Sequence, residues 1–350
     1  MSEAAPAATP KARRRLTWRA ALGGGLGIAV IVGTFVFVLP KVADYRSVWD
    51  VVKELSWGEV ALLLGATALN LATYAPPLQA ALPGISFRQA FVVTQASTAS
   101  TYVLPGGAAV GAGVSYGMLR GWGFSSRSVT LALAVTSIWN QFAMLAFPIV
   151  AVALLTLSKE KNPLLQTVAF IGVAILIVGA AGFAVGLTSD RLAKWVGSTA
   201  AAIVTRLKSW IRRGPVKWDG ASFVSFRQEA VGLLKRRWHL LTIATLAGQL
   251  TVFLILFVCL RVFNVSSGEV SAIEAFAAWS LVRLLGSIPI TPGGLGIVEV
   301  GLTTALVGFG GDNAEVVAAV LVYRFLTIVP TLSLGLLAGA TWKRHRPAET

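Results

Sequence analysis

The sequence predicts an all-α polytopic membrane protein, and three observations support that fold class. Of the 350 residues, 55% are hydrophobic and only 13% are charged. Several apolar stretches are longer than the roughly 18–20 residues that a helix needs to cross a bilayer. Two other apolar stretches are interrupted by Pro-Gly-Gly, which cannot continue a straight helix because proline lacks an N–H donor. We predict about six full spans and two re-entrant broken-helix hairpins.

The chain begins with a basic tail, residues 1–18, whose Ala, Pro, Lys and Arg content predicts disorder. Residues 19–342 form a single predicted transmembrane domain, and residues 343–350 form a second tail. Six stretches of the domain are apolar and long enough to be full spans: residues 19–39, 57–82, 128–157, 164–187, 239–263 and 314–342.

The two interrupted stretches, residues 87–120 and 272–309, fit poorly as single crossings. Each consists of two apolar segments of about 15 residues, too short to span a bilayer at a rise of about 1.5 Å per residue. Lipid offers no partner for the carbonyls that a break leaves free. Broken backbone at membrane depth is therefore buried in protein or lines a wet cavity. We predict that each stretch is a re-entrant hairpin with its tip at Pro-Gly-Gly.

Positive charge is concentrated in residues 188–238, which contain 11 of the 30 Lys and Arg residues. Cationic loops beside spans are typical of the cytoplasmic side of a membrane. The formal net charge of +15 therefore indicates topology rather than nucleic-acid binding. With the basic N-terminal tail in the cytoplasm, six crossings place both termini and this segment there. Apolar residues at helical spacing from Leu192 to Trp210 predict an amphipathic helix that contacts anionic inner-leaflet lipid.

The two halves of the domain resemble each other in order and composition. Each half has a hairpin, a Pro-Gly-Gly, a short glycine-rich helix and then a long span with a polar pair. The polar pairs are Trp139-Asn140 and Tyr323-Arg324. Because the first hairpin enters from the cytoplasm and the second from outside, we predict an inverted repeat, which is common in secondary transporters.

The Pro-Gly-Gly turns are the first candidate binding sites. Each turn precedes a short predicted helix, whose exposed N–H groups and positive dipole end suit a phosphate. The competing interpretation is that glycine only permits a tight re-entrant turn. Both interpretations concern the same six residues: Pro105, Gly106, Gly107, Pro292, Gly293 and Gly294.

Two arginines, Arg283 and Arg324, lie within apolar stretches. The guanidinium group suits phosphate oxygens, and a headgroup role for at least one arginine is favoured. The alternative is a buried structural pair with Glu299 or Glu274. Three roles fit Glu299: it carries a proton, binds a cationic headgroup, or orients an arginine. Glu274 lies nearer a helix end, which favours capping.

Uncharged polar residues of the first half, Gln95, Tyr102, Asn140 and Gln141, suit hydrogen bonds between helices better than ligand contacts. The single cysteine, Cys259, excludes an internal disulfide. Two histidines are too few for an ordinary histidine metal site. No metal and no cofactor are predicted.

The run from Arg283 to Glu299, R-L-L-G-S-I-P-I-T-P-G-G-L-G-I-V-E, is the strongest motif, followed by Tyr323-Arg324 and the first-half Leu104-Pro105-Gly106-Gly107. With these motifs, residues 19–342 resemble the transmembrane region of the lysylphosphatidylglycerol synthase family, a group of flippase-like membrane proteins. In two-domain members, a soluble domain loads an amino acid onto phosphatidylglycerol and the membrane region moves the product between leaflets. The resemblance implies a prokaryotic plasma membrane. This sequence lacks the soluble synthase domain, so we expect the translocating part.

The leading hypothesis is therefore translocation of an anionic or modified phospholipid, or a polyprenyl-linked lipid, by alternating access. Its candidate substrate-binding residues are Arg283, Glu299, Arg324, Tyr323, Asn140 and the six turn residues named above. One alternative is a non-transporting subunit that docks a separate synthase through residues 188–238. A membrane enzyme acting on lipid phosphates is less favoured, because only Glu274 and Glu299 supply carboxylates near the membrane interior. The oligomeric state stays open.

Overall fold

The computed structural model describes residues 53–103, 107–157, 220–287 and 291–345, together with isolated helical positions between 171 and 199. These residues form helices and the turns that join them, and the described part of the chain contains no strand. The predicted span at residues 19–39 and the two tails up to residue 18 and beyond 345 lie outside the described residues. Of the predicted span at 164–187, only isolated positions from 171 to 185 are described.

The first described span consists of two helices, α1 (Trp57–Thr73) and α2 (Ala75–Ala81). A capping box starts α1, because Ser56 and Glu59 each accept the backbone N–H of the other. Tyr74 ends α1, and Pro76 lies in the first turn of α2. Proline is tolerated there because the N–H groups of a first turn have no acceptor within the helix. Together they form a candidate span, Trp57–Ala81, as predicted.

Each interrupted stretch is a pair of short helices. The first pair is α3 (Phe87–Val103) and α4 (Gly107–Gly121), and the second is α7 (Ala272–Gly286) and α8 (Ile297–Gly308). The two helices of each pair pack against each other. Their lengths of 17, 15, 15 and 12 residues are below those of ordinary spans. The predicted breaks are thus present, whereas re-entry into a membrane stays a prediction.

Three long helices complete the described fold: α5 (Ser126–Leu157), α6 (Gly220–Val262) and α9 (Asn313–Thr341). With Trp57–Ala81, they give four helices among the described residues that are long and apolar enough to cross a membrane. The chain is a multi-pass helical membrane protein. The predicted count of six spans stays a prediction.

Helix α6 begins earlier than the sequence analysis expected. Residues 220–238 were assigned to the basic segment and the span was expected to start at 239. The structure instead has one helix of 43 residues, Gly220–Val262, without a break. The physical reason is that a change from basic to apolar residues marks a membrane boundary but does not end a helix, and no proline lies in residues 220–262. The amphipathic helix predicted from Leu192 to Trp210 lies outside the described residues.

The two helix pairs exchange partners across the molecule. Helix α3 of the first pair packs on α9, the long helix that follows the second pair, and α7 of the second pair packs on α5, which follows the first. Helix α6 packs on α1, α2, α5 and α9 and so joins both halves. At the α5–α6–α7 contact, Phe147, Phe253, Phe276 and Trp279 form an aromatic cluster with ring centroids 5.2–5.7 Å apart.

Two glycines of α9 test this packing. At Gly335, a Cβ would overlap Ala99 Cβ and lie 2.6 Å from the carbonyl oxygen of Gln95, whereas Gly339 has nothing within 4 Å. We expect Gly335→Ala to reduce the stability of the purified protein by about 1–3 kcal/mol, because it overpacks the α3–α9 contact. Gly339→Ala is the matched control and should be neutral or slightly stabilising, since alanine favours helix over glycine. Equal thermal unfolding of the two variants would contradict the close α3–α9 approach.

Candidate functional site

A cavity of about 530 Å³ lies where the two helix pairs meet α5 and α9. Its volume is within the range of ordinary ligand pockets. The structure brings seven of the predicted site residues to its wall: Gly107, Asn140, Arg283, Gly293, Gly294, Tyr323 and Arg324. Pro292 belongs to the turn beside the cavity. Pro105 and Gly106 lie outside the described residues.

Glu299 stands behind this wall and forms a buried ion pair with Arg324. Arg324 Nε lies 2.6 Å from Glu299 Oε1, and the two side chains are only 6% and 2% exposed. Arg324 Nη2 also donates to the carbonyl oxygen of Gly293 at 3.0 Å. We call these three residues the Arg324 clasp. It ties α9 to α8 and to the turn between α7 and α8, so the alternative of a structural pair with Glu299 is present for this arginine.

The second Pro-Gly-Gly forms a tight turn at the cavity edge. Gly293 has φ +62°, a left-handed conformation that residues with a Cβ rarely adopt. A Cβ there would also lie 2.5 Å from Cδ1 of Tyr102, so the turn rests directly on a side chain of α3. Glu299 Oε2 accepts the N–H of Gly296 at 2.7 Å. The chain's own carboxylate therefore occupies the start of α8, where the sequence analysis considered a phosphate.

Arg283 lines the cavity as Arg324 does, but no carboxylate among the described residues pairs with it. Its guanidinium carbon lies 5.4 Å from the centroid of the Trp279 ring, a cation–π distance. Its Nε atom is buried and has no hydrogen-bond partner among the described residues. Glu274, one of its two predicted partners, instead caps α7 by accepting the N–H of Ser271 at 2.7 Å. The prediction that Glu274 caps a helix is thus confirmed.

The uncharged polar residues of the first half have two kinds of environment: some form hydrogen bonds to other helices, and some line the cavity. Gln249 of α6 donates to Asn140 Oδ1, an interhelical hydrogen bond of the predicted kind. Asn140 and Gln141 also line the cavity. Gln95 is fully buried in α3, and its Nε2 lies 3.5 Å from the carbonyl oxygen of Leu71.

Sequence reasoning missed three residues of this region. Trp279 lines the cavity beneath Arg283, but an aromatic residue in an apolar helix usually indicates core. Gln249 could have been found as an amide inside the apolar span of α6. Tyr74 is close enough to interact electrostatically with Arg283 and with two cavity tyrosines, and its place at the end of α1 gave no signal.

The Arg324 clasp makes a stability prediction. Glu299→Gln leaves the Arg324 charge buried without a counter-charge, and we expect a loss of about 3–5 kcal/mol. Glu299→Gln combined with Arg324→Gln removes both charges and should recover part of that loss. A double-mutant cycle by thermal unfolding of the purified protein measures the coupling. Strictly additive effects would contradict a direct pair.

Comparison with known proteins identifies the family of this chain. The family model described as "Lysylphosphatidylglycerol synthase TM region" matches residues 25–335, which include both helix pairs, α5, α6 and most of α9. No curated protein matches the sequence. The match covers most of the chain and bears out the resemblance of the Arg283–Glu299 motif. The chain belongs to the lysylphosphatidylglycerol synthase transmembrane-region family.

Proposed function

We propose that this protein moves a phosphate-bearing lipid between the leaflets of a membrane by alternating access around the cavity. Membership of the family implies a membrane protein linked to lipid metabolism or transport. The observation that carries the proposal is the free charge of Arg283 on the wall of a cavity of about 530 Å³ between the two helix pairs. The proposal contains no chemical step on the lipid.

A phosphate explains why Arg283 is tolerated in this position. A cation at membrane depth is unfavourable unless an anion or water compensates it. Arg324 has Glu299, whereas Arg283 has no carboxylate partner among the described residues. A lipid phosphate supplies the missing counter-charge and accepts the fork of N–H donors that a guanidinium presents. The headgroup occupies the cavity while the acyl chains stay in the bilayer.

The helix pairs are the proposed moving parts. We propose that they are re-entrant hairpins of an inverted repeat, and the exchange of partners between α3–α9 and α7–α5 supports that relation. The contact of Tyr102 with Gly293 joins the end of α3 to the turn between α7 and α8 beside the cavity. In the alternate state this contact opens and the headgroup leaves toward the other leaflet.

For the setting, we propose the plasma membrane of a prokaryote with both termini in the cytoplasm. The basic residues at the start of α6 then face anionic lipid of the inner leaflet. These residues also favour a second function, docking of a separate synthase, because Lys235 and Arg236 are exposed where α6 extends beyond the predicted span. Recovery of a synthase with the full chain from native membranes, lost in Lys235→Glu with Arg236→Glu, would support docking. It is compatible with transport.

Replacement of Arg283 tests the proposed function. In proteoliposomes, we expect Arg283→Gln to slow protein-dependent movement of fluorescent phosphatidylglycerol at least tenfold, since a hydrogen bond to a charged group contributes about 1.5–3 kcal/mol. Arg88→Gln is the matched control, because Arg88 is exposed and lies away from the cavity wall. Wild-type rates in Arg283→Gln would remove this residue from the mechanism. Absence of movement of any phospholipid by the wild-type protein would contradict translocation.

A further inference from the structure

We infer that the cavity selects a lipid headgroup with one net negative charge, a phosphodiester whose remaining part is uncharged and hydroxylated, and that it excludes headgroups bearing an aminoacyl cation. The inference rests on the proposed function for the identity of the ligand as a lipid. It adds which charge class of lipid the site accepts. Three observations about the cavity wall carry it.

The first observation is the charge balance of the wall. Arg283 and Arg324 are the charged side chains among the described residues that line the cavity. Glu299 neutralises Arg324 across 2.6 Å. The described part of the wall therefore carries one uncompensated positive charge, that of Arg283. A ligand with one negative charge makes the occupied site neutral, whereas a ligand with a net positive charge adds a second like charge.

The second observation is that Glu299 is not available to a cationic headgroup. Its Oε1 accepts from Arg324 Nε and its Oε2 accepts from the N–H of Gly296 at 2.7 Å. Its side chain is 2% exposed. An ammonium group that took Glu299 as its partner would leave Arg324 buried without a counter-charge, which is strongly unfavourable. The role of Glu299 that the sequence left open, binding of a cationic headgroup, is therefore disfavoured by the geometry.

The third observation is the chemistry of the remaining polar wall. The other polar side chains of the lining are neutral hydroxyls and amides, of which Thr101 and Ser287 already donate to backbone carbonyl oxygens and keep acceptor capacity for a ligand. They are Thr101, Tyr102, Asn140, Gln141, Ser287 and Tyr323. Such groups match the hydroxyls of a glycerol or sugar substituent. The undescribed residues of the two turns, 104–106 and 288–290, are all Leu, Ile, Pro or Gly and bring no charge.

A binding competition tests the charge class without a transport assay. The full chain is placed in nanodiscs of phosphatidylcholine, and fluorescent phosphatidylglycerol is displaced by unlabelled lipids. We expect phosphatidylglycerol to displace the probe at least tenfold more effectively than lysylphosphatidylglycerol or phosphatidylethanolamine. Because this comparison uses the wild-type protein, it does not depend on the folding of any variant. Equal or better displacement by lysylphosphatidylglycerol would overturn the inference.

Two charge variants of Arg283 test whether this residue causes the preference for phosphatidylglycerol. Arg283→Gln should reduce the preference for phosphatidylglycerol to less than about threefold, and Arg283→Glu should reverse it toward lysylphosphatidylglycerol. Arg88→Gln and Arg88→Glu, at an exposed position, should leave it unchanged and thus exclude a general effect of protein charge. A preference that survives in Arg283→Glu with normal thermal unfolding would overturn the inference, because the selection would then arise elsewhere.

Transport of the same lipids separates the inference from the proposed function. Selective binding of phosphatidylglycerol without movement of any lipid would support charge selection and contradict translocation. Movement of phosphatidylglycerol and lysylphosphatidylglycerol at equal rates would support translocation and overturn charge selection. Faster movement of phosphatidylglycerol, lost in Arg283→Gln, would support both.

Discussion

The buried ion pair between Arg324 and Glu299 is the constraint on which the rest of the site depends. A charge at membrane depth is stable only when it is paired and hydrogen-bonded. This pair meets both conditions, because Glu299 also accepts the Gly296 N–H and Arg324 also donates to Gly293. The same contacts fix the turn between α7 and α8, and this turn rests on Tyr102 of α3. The shape of the cavity edge at this turn therefore depends on the hydrogen bonds of the Glu299 carboxylate.

The pairing of Arg324 with Glu299 leaves the charge of Arg283 without a carboxylate partner among the described residues. Among the described residues, two arginines line the cavity, and the carboxylate of Glu299 stands behind its wall. Both carboxylate oxygens of Glu299 accept hydrogen bonds, one from Arg324 and one from the N–H of Gly296 at the start of α8. Glu299 therefore does not also neutralise the charge of Arg283. Trp279 shields one face of the Arg283 guanidinium, and cation–π attraction offsets part of its desolvation without cancelling its charge. The result is a half-buried cation on the cavity wall, an arrangement that suits the anionic ligand of the proposed function.

The sequence predicts the elements of this fold better than their contacts. Most helix limits follow from apolar length and from proline and glycine, and the predicted capping by Glu274 is present as a capping box with Ser271. By contrast, two arginines and two glutamates allow several pairings. The choice of Glu299 for Arg324 depends on the relative position of α8 and α9, which no local pattern encodes. The early start of α6 was missed for a similar reason, because charge marks a membrane boundary whereas helix continuity depends on backbone chemistry.

The distribution of hydrogen bonds suggests which parts of the molecule stay together in the proposed cycle. Helix α6 is joined to α1 through Asn70 and Thr251 at 3.0 Å and to α5 through Trp139 and Thr242 at 2.8 Å. Directional bonds of this kind resist sliding between helices. The second hairpin is tied to α9 through Arg324, whose bonds to Glu299 and to the Gly293 carbonyl are concentrated at one end of the hairpin. In the proposed cycle, α1, α5 and α6 would therefore stay together while the second helix pair moves about the Arg324 clasp. Arg283 and Arg324 line the same cavity, so an anion bound at Arg283 would occupy the cavity that the clasp borders.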